Sequence, residues 1–61
     1  MFETKKFIVT EDRMIYEKIT GRFLNSVPSE EWNDFVVDVE RGLKYDFPDL
    51  AISKYAFPVS S

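Results

Sequence analysis

The clearest hydrophobic pattern in the chain lies between residues 30 and 45. Apolar side chains recur there every three or four residues, which is the period of a helix with one buried face. They are Trp32, Phe35, Val36, Val39 and Leu43. Ser29 follows Pro28 as a suitable N-cap, and Arg41 and Lys44 suit the negative end of a helix dipole. The pattern predicts an amphipathic helix from about residue 30 to residue 45.

Two other segments, residues 2–9 and residues 50–57, are rich in β-branched and aromatic residues, as strands are. The first contains Phe7-Ile8-Val9. Pro48 and Pro58 flank the second, and proline interrupts helices and ends strand pairing. We therefore expect one strand in each segment.

Residues 11–25 allow two interpretations. Thr10 can cap a helix whose first turn holds Glu11 and Asp12. On a helical wheel the apolar residues then share about half the circumference. These are Ile15, Tyr16, Ile19, Phe23, Leu24 and Val27. The alternative is a hairpin in which residues 7–10 pair with residues 14–20. No Asn-Gly or Asp-Gly turn is present there, so a helix over about 11–25 is favoured.

These elements predict a small α+β domain over residues 1–61, in the order strand, helix, helix, strand. The two strands would form an antiparallel sheet with both helices on one face. The alternative order is an N-terminal β-hairpin, then a helix, then a strand. We expect Phe7, Phe23 and Phe35 in the core, together with Val39 and Leu43.

The chain has 61 residues and contains neither cysteine nor histidine. Disulfides, the common zinc sites and nucleophiles that depend on histidine are therefore excluded. The two glycines, Gly21 and Gly42, are too far apart for a phosphate-binding loop. We expect no catalysis, no cofactor and no metal. Because so short a chain has a marginal core, we also expect a homodimer or stabilisation by a partner.

The net charge is −3, and it is unevenly distributed. Residues 1–27 carry five basic and four acidic side chains, whereas residues 28–61 carry three basic and seven acidic ones. Nucleic acid is a poor partner for such a chain. No uninterrupted apolar run exceeds three residues, so neither a membrane span nor a signal peptide is expected, and we predict a cytoplasmic protein.

The candidate binding site lies on the predicted helix 30–45. It consists of Glu30, Glu31, Trp32, Asp34 and Asp38. Trp32 would anchor a protein partner with a basic or mixed surface while the carboxylates steer its approach. A second group of candidates for a partner-facing patch comprises Tyr45, Phe47, Tyr55 and Phe57.

Three functions fit these features. The first is a regulator or inhibitor that binds and blocks or recruits a larger protein, a role that many small acidic and phage-encoded chains have. The second is a nucleic-acid mimic, whose acidic helix would occupy the basic groove of a nucleic-acid-binding enzyme. The third is a dimeric DNA binder that inserts a ribbon of strands carrying Lys5 and Lys6.

Overall fold

The computed structural model describes residues 2–58, which form an antiparallel sheet of four strands followed by two helices. The strands are β1 (Phe2–Glu3), β2 (Phe7–Val9), β3 (Met14–Glu17) and β4 (Phe23–Ser26), paired in chain order. A 3₁₀ turn (Ser29–Glu31) leads into α1 (Trp32–Lys44), and α2 (Pro48–Ala56) follows. The α+β class is confirmed, but the two-stranded sheet is wrong.

The predicted helix over residues 11–25 is also wrong, and the hairpin alternative is confirmed for this part. Strands β2 and β3 are joined by a loop in which the Thr10 N–H donates to the Met14 carbonyl at 2.9 Å. The Thr10 hydroxyl accepts a hydrogen bond from the Met14 amide at 3.3 Å. Arg13 adopts the left-handed conformation, with φ of 66°. Three-residue hairpin loops commonly end in such a residue, so no Asn-Gly turn is needed.

Residues 2–9 form two strands instead of one. Thr4 is buried in the turn between β1 and β2, and its hydroxyl accepts hydrogen bonds from the amides of Phe7 at 3.0 Å and Lys6 at 3.3 Å. These bonds turn the chain back on itself. Lys5 and Lys6 therefore lie in an exposed turn, whereas a strand-ribbon DNA binder would carry them along a strand.

The sheet register places apolar residues on both faces. Val9 is paired with Ile15 on the inner face, and Ile8 is paired with Tyr16 on the outer face. The β3–β4 pairing is irregular: Ile15 is paired with Asn25, and the next residue, Tyr16, is paired with Phe23. Leu24 therefore has no partner in β3. The Phe23 side chain packs edge-on against Tyr16 with ring centroids 5.7 Å apart. Phe23 is 50% exposed, so its assignment to the core is wrong.

The predicted helix 30–45 is confirmed as the 3₁₀ turn and α1. Phe35 and Val39 are fully buried, but Leu43 is 49% exposed because it lies to one side of the buried stripe. Ser29 does not act as the predicted N-cap: it is the first residue of the 3₁₀ turn, and no side chain caps the turn or α1.

The predicted strand over residues 50–57 is wrong, because this segment forms α2. Pro48 is its first residue, where a missing N–H has no cost and the fixed φ suits a helix. The α2 end of the chain returns to the start of α1, where Tyr55 contacts Phe35, so the two helices run in opposite directions. Asn25 ties the sheet to α2, since its side-chain amide donates to the Tyr55 carbonyl at 2.8 Å.

The core lies between the inner face of the sheet and the helical hairpin. Its members come from β2, β3, both helices and the segment before the 3₁₀ turn. They are Phe7, Val9, Ile15, Val27, Phe35, Val39, Ala51, Ile52 and Ala56.

Candidate functional site

Three aromatic rings meet where the start of α1 approaches the end of α2. The Phe35 ring is at the centre and is fully buried. Trp32 stacks on it with ring centroids 5.5 Å apart, and Tyr55 meets it edge-on at 5.0 Å. Trp32 and Phe35 are three residues apart on one helix, so their side chains are neighbours. Both outer rings are half-buried and partly accessible to a partner.

Three carboxylates act on the Tyr55 hydroxyl. Burial raises the pKa of Tyr55, and the negative charges of Glu31, Asp38 and Asp34 raise this pKa further. Each effect disfavours the phenolate. We call these three residues the acidic cluster. Their spacing of three and four residues places Glu31, at the end of the 3₁₀ turn, in line with Asp34 and Asp38 on one side of α1.

The structure divides the five predicted site residues. Glu31, Asp34 and Asp38 come together around Tyr55, whereas Glu30 lies exposed in the 3₁₀ turn and is not among the charges that shift the Tyr55 pKa. Trp32 points elsewhere: at 100° per residue it is about 160° from Asp34 around α1. Trp32 therefore follows Glu31 directly in the chain but lies on a different side of α1 from Asp34 and Asp38.

An apolar groove of about 400 Å³ begins at Asp38 and continues between α1 and α2. Its lining comes from both helices and the loop that joins them. The residues are Asp38, Arg41, Gly42, Tyr45, Phe47, Leu50, Ala51 and Lys54. Tyr45, Phe47 and Leu50 are exposed by 59%, 63% and 61%. We call this the interhelical groove.

The sharp joint between the helices shapes one end of this groove. The Phe47 amide donates to the Gly42 carbonyl at 2.7 Å, and Asp46 has a φ of 66°. This pattern is a Schellman motif, in which glycine is the usual left-handed residue and aspartate stands here instead. A Cβ on Gly42 would lie 2.5 Å from the Phe47 carbonyl oxygen. The close approach of helix and loop therefore requires glycine at this position.

Sequence reasoning found part of the groove and missed the rest. Tyr45 and Phe47 belong to the predicted aromatic patch, and both are exposed. Leu50 and Lys54 were assigned to a strand, so their position beside α1 was missed. The signal that could have placed them is Pro48 followed by Asp49, a common start for a helix.

Other features of the described residues do not form a second chemical site. Within residues 2–58, no group of three or more acidic side chains is arranged to hold a metal ion. One oxygen of Asp49 is buried without a hydrogen-bond partner, although the residue as a whole is only half-buried. The outer face of the sheet presents a small apolar surface formed by Ile8, Met14, Tyr16 and Phe23.

No family model matches this sequence, and comparison with curated proteins and solved structures found no significant match. Neither of the helices in the part of the chain that the structure describes has the length and apolar character needed to cross a bilayer.

Proposed function

We propose that this protein is a non-enzymatic binding protein. It would bind a larger protein through the acidic cluster and thereby block or recruit that protein. The observation that carries this proposal is the position of the cluster. Glu31, Asp34 and Asp38 lie close enough to the half-buried Tyr55 to raise its pKa, and Asp38 also lines the interhelical groove. A surface of this composition complements a protein that presents basic and apolar side chains together.

The two kinds of residue would contribute differently to binding. Exposed carboxylates accelerate encounter with a basic surface, and this effect weakens as salt screens the charges. Trp32 and Tyr55 would supply desolvated contacts, because aromatic residues dominate the energetics of protein interfaces. The acidic cluster therefore sets mainly the association rate, and the aromatic rings set mainly the dissociation rate.

Nucleic-acid mimicry is the alternative. Asp34 and Asp38 are about 6 Å apart along the helix axis, similar to the spacing of phosphates. However, Arg41 and Lys54 line the interhelical groove together with Asp38, so basic side chains adjoin the row of acids. This mixture of charges favours a protein partner with mixed charge over a uniformly basic groove.

A homodimer is the second part of the proposal. The outer face of an antiparallel sheet that faces water is ordinarily polar, but here Ile8, Tyr16 and Phe23 are adjacent across three strands. Pairing two copies through this face would leave the helices free for the partner. The melting temperature should then rise with protein concentration, whereas a concentration-independent melt and a monomeric mass would contradict the homodimer.

The experiment for partner binding uses three tagged forms of the full chain. They are the wild type, the double variant Asp34→Asn/Asp38→Asn, and the control Glu11→Gln/Asp12→Asn. The control removes the same charge from the exposed hairpin loop. A true partner should bind the wild type and the control but associate more slowly with the double variant, most clearly at about 50 mM salt. If all three forms retain the same proteins at equal rates, the proposal is wrong.

Trp32 provides the second arm of that experiment. We expect Trp32→Ala to speed dissociation of the captured partner by roughly thirtyfold, equivalent to about 2 kcal/mol. Trp32→Phe keeps a ring stacked on Phe35 and should have a smaller effect. If Trp32→Ala unfolds the domain while Trp32→Phe binds normally, Trp32 is a structural residue and the acidic cluster acts without it.

A further inference from the structure

The outer face of the sheet carries a row of apolar side chains that crosses three strands. Ile8 is paired with Tyr16, and Tyr16 is paired with Phe23. We call these three residues the outer row. Met14 lies on the same face, and its sulfur accepts a hydrogen bond from the Tyr16 hydroxyl at 3.5 Å. Both helices pack against the inner face, so the outer row stays accessible, and Phe23 is 50% exposed.

The outer face alone is too small for a stable interface. Its four strands, about 4.8 Å apart and about four residues long, cover roughly 19 Å by 13 Å, or about 250 Å². A stable interface between two proteins buries about 800 Å² on each side. The outer row can therefore form the apolar centre of an interface, and the loops at the two ends of the sheet must supply the rest.

The two ends of the sheet have opposite net charge. The β1–β2 turn and the β3–β4 loop lie at one end, which we call the basic end. Its exposed cations are Lys5, Lys6, Lys18 and Arg22, and the acids beside them are Glu3 and Glu17. The β2–β3 hairpin loop lies at the other end and exposes Glu11 and Asp12 beside Arg13. One end is thus net positive and the other is net negative.

Most of these charges have no ionic partner within one copy of the chain. Among residues 2–58 the one ion pair joins Lys18 to Glu3, with Nζ and Oε2 2.6 Å apart. Glu11 and Asp12 are therefore free to pair with another molecule. Exposed ion pairs add little affinity, but like charges that face each other are unfavourable, so such charges select the orientation in which two surfaces meet.

Symmetry leaves two ways to join two copies through the outer face. A homodimer ordinarily has a two-fold axis, so both copies use the same surface. If the axis runs along the strands, each end of one sheet lies over the same end of the other, and like charges meet. If the axis runs across the strands, the basic end of each copy lies over the hairpin loop of the other. Only the second arrangement is electrostatically complementary.

We propose that the outer face binds a second copy of the chain with its strands reversed, so that the basic end of each copy lies over the hairpin loop of the other. This inference rests on the homodimer in the proposed function, because it specifies how the two copies are arranged. The outer row then lies along the two-fold axis, where Tyr16 and Phe23 of the two copies meet. The sheets would be about 10 Å apart, with the helices as the two outer layers.

Charge reversal tests this arrangement. One variant is Glu11→Lys/Asp12→Lys and the other is Lys5→Glu/Lys6→Glu, all at exposed positions outside the core. Sedimentation equilibrium at about 50 mM salt gives the dissociation constant of each dimer. We expect each variant alone to dimerise about tenfold more weakly than the wild type, because like charges then face each other, and an equimolar mixture to regain the wild-type affinity. A monomeric wild type, or variants that dimerise as well as the wild type, would overturn the inference.

Cross-linking reports the arrangement directly, since the chain has no cysteine of its own. Asp12→Cys and Lys6→Cys each introduce one thiol, at opposite ends of the sheet. A bis-maleimide linker of about 10 Å matches the separation of packed sheets. We expect an equimolar mixture of the two variants to yield mostly mixed cross-linked dimers and each variant alone to yield few. Efficient cross-linking of each variant to itself would show that like ends meet.

Two apolar variants test the outer row. Phe23→Ser changes the row, and the control Leu50→Ser changes a residue of α2 that is 61% exposed. Neither side chain belongs to the core, so circular dichroism should show both variants folded. We expect Phe23→Ser to weaken the dimer about fivefold or more and Leu50→Ser to leave it unchanged. Equal dimer affinities for these two variants would contradict the inference.

Matched charge variants separate this inference from partner binding. Asp34→Asn/Asp38→Asn and Glu11→Gln/Asp12→Asn each remove two negative charges, the first pair from the acidic cluster and the second from the hairpin loop. We expect the first variant to slow partner capture and keep the dimer, and the second to weaken the dimer and keep partner capture. A dimer that is indifferent to the hairpin-loop charges overturns the reversed arrangement and leaves the homodimer intact. Partner capture by a wild type that is monomeric supports the acidic cluster and overturns this inference.

Discussion

The two helices bury their inner faces with side chains of different sizes. Helix α1 inserts Phe35 and Val39 and keeps charged residues on its outer side. Helix α2 inserts Ala51, Ile52 and Ala56, while Leu50 remains largely exposed. The small residues of α2 let it approach α1 and the sheet closely, but they leave it with a weakly amphipathic surface.

This difference shows that the stability of α2 depends on tertiary contacts more than the stability of α1 does. Helix α1 has 13 residues and one continuous apolar stripe, which can pack against an apolar surface. Helix α2 has only nine residues, too few for stability on its own. It is held by the buried Ile52, by the joint at Gly42 and by the hydrogen bond from Asn25 to the Tyr55 carbonyl.

The largest expected loss of stability comes from truncating a buried core side chain of either helix. Phe35→Ala should cost about 3 to 5 kcal/mol and Ile52→Ala about 2 to 5 kcal/mol, both comparable with the whole stability of a small domain. Thermal unfolding followed by circular dichroism measures these losses. Val37→Ala, at a position on α1 that is 52% exposed, is the control and should change stability by less than about 0.5 kcal/mol. A normal melt for Ile52→Ala would mean that α2 is dispensable.

The next largest effect concerns the joint between the helices. Alanine is ordinarily better than glycine inside a helix by about 1 kcal/mol. At Gly42, however, the new Cβ would lie 2.5 Å from the backbone oxygen of Phe47. We expect Gly42→Ala to destabilise the protein by about 1 to 3 kcal/mol because α2 must move away. Glu40→Ala is a matched exposed position on α1 and should be nearly neutral. A higher melting temperature for Gly42→Ala would show that the joint tolerates displacement.

A smaller and opposite effect is expected four residues later. Asp46 has a φ of 66°, a conformation that glycine adopts without strain. Asp46→Gly should therefore stabilise the protein by about 0.5 to 1 kcal/mol. Asp46→Ala removes the same charge but keeps the strain, so the difference between the two variants isolates the backbone term. Equal stabilities for glycine and alanine at this position would contradict the prediction.

The smallest effect is confined to alkaline pH. The pKa of Tyr55 is raised above its ordinary value of 10.0 by burial and by the acidic cluster. A raised folded-state pKa means that the contribution of Tyr55 to stability is complete below pH 10 and is lost as the pH rises through the raised pKa. Phenolate absorbance, with Tyr55→Phe as the reference, measures this pKa. Asp34→Asn/Asp38→Asn should lower it, and an unchanged value would place these carboxylates too far away to matter.

The sequence predicted α1 but not α2, and the reason lies in how each helix is specified. A stripe of large apolar residues beside charged ones is a local pattern, and it identifies α1. Short apolar runs such as Leu50-Ala51-Ile52 fit a buried strand equally well, and only packing against α1 and the sheet decides between them. Pro48 was interpreted as a barrier to helix, whereas it begins one.

The β2–β3 hairpin was ambiguous for a different reason. A threonine followed by two acids is typical of a helix start, and the Thr10 hydroxyl does bind a backbone amide, but inside a hairpin loop. Nothing in the sequence marks Arg13 as left-handed, because that conformation is imposed by the pairing of the strands. For the candidate site, the spacing of four residues predicted a row of Glu30, Asp34 and Asp38 with Glu31 beside it, whereas the structure brings Glu31 and not Glu30 close to Tyr55. The proximity of these acids to Tyr55 required the correct assignment of α2.

The distribution of the core among the elements has a consequence for how the chain folds during synthesis. Phe7, Val9 and Ile15 leave the ribosome first, yet most of the core residues that cover their inner face belong to α1 and α2. A sheet of short strands without that cover is not stable in water. The four strands of the growing chain therefore keep their apolar face exposed until Ile52 has been synthesised. We therefore expect folding in one late cooperative step, and we expect pauses in translation after residue 27 to lengthen the period of greatest aggregation risk.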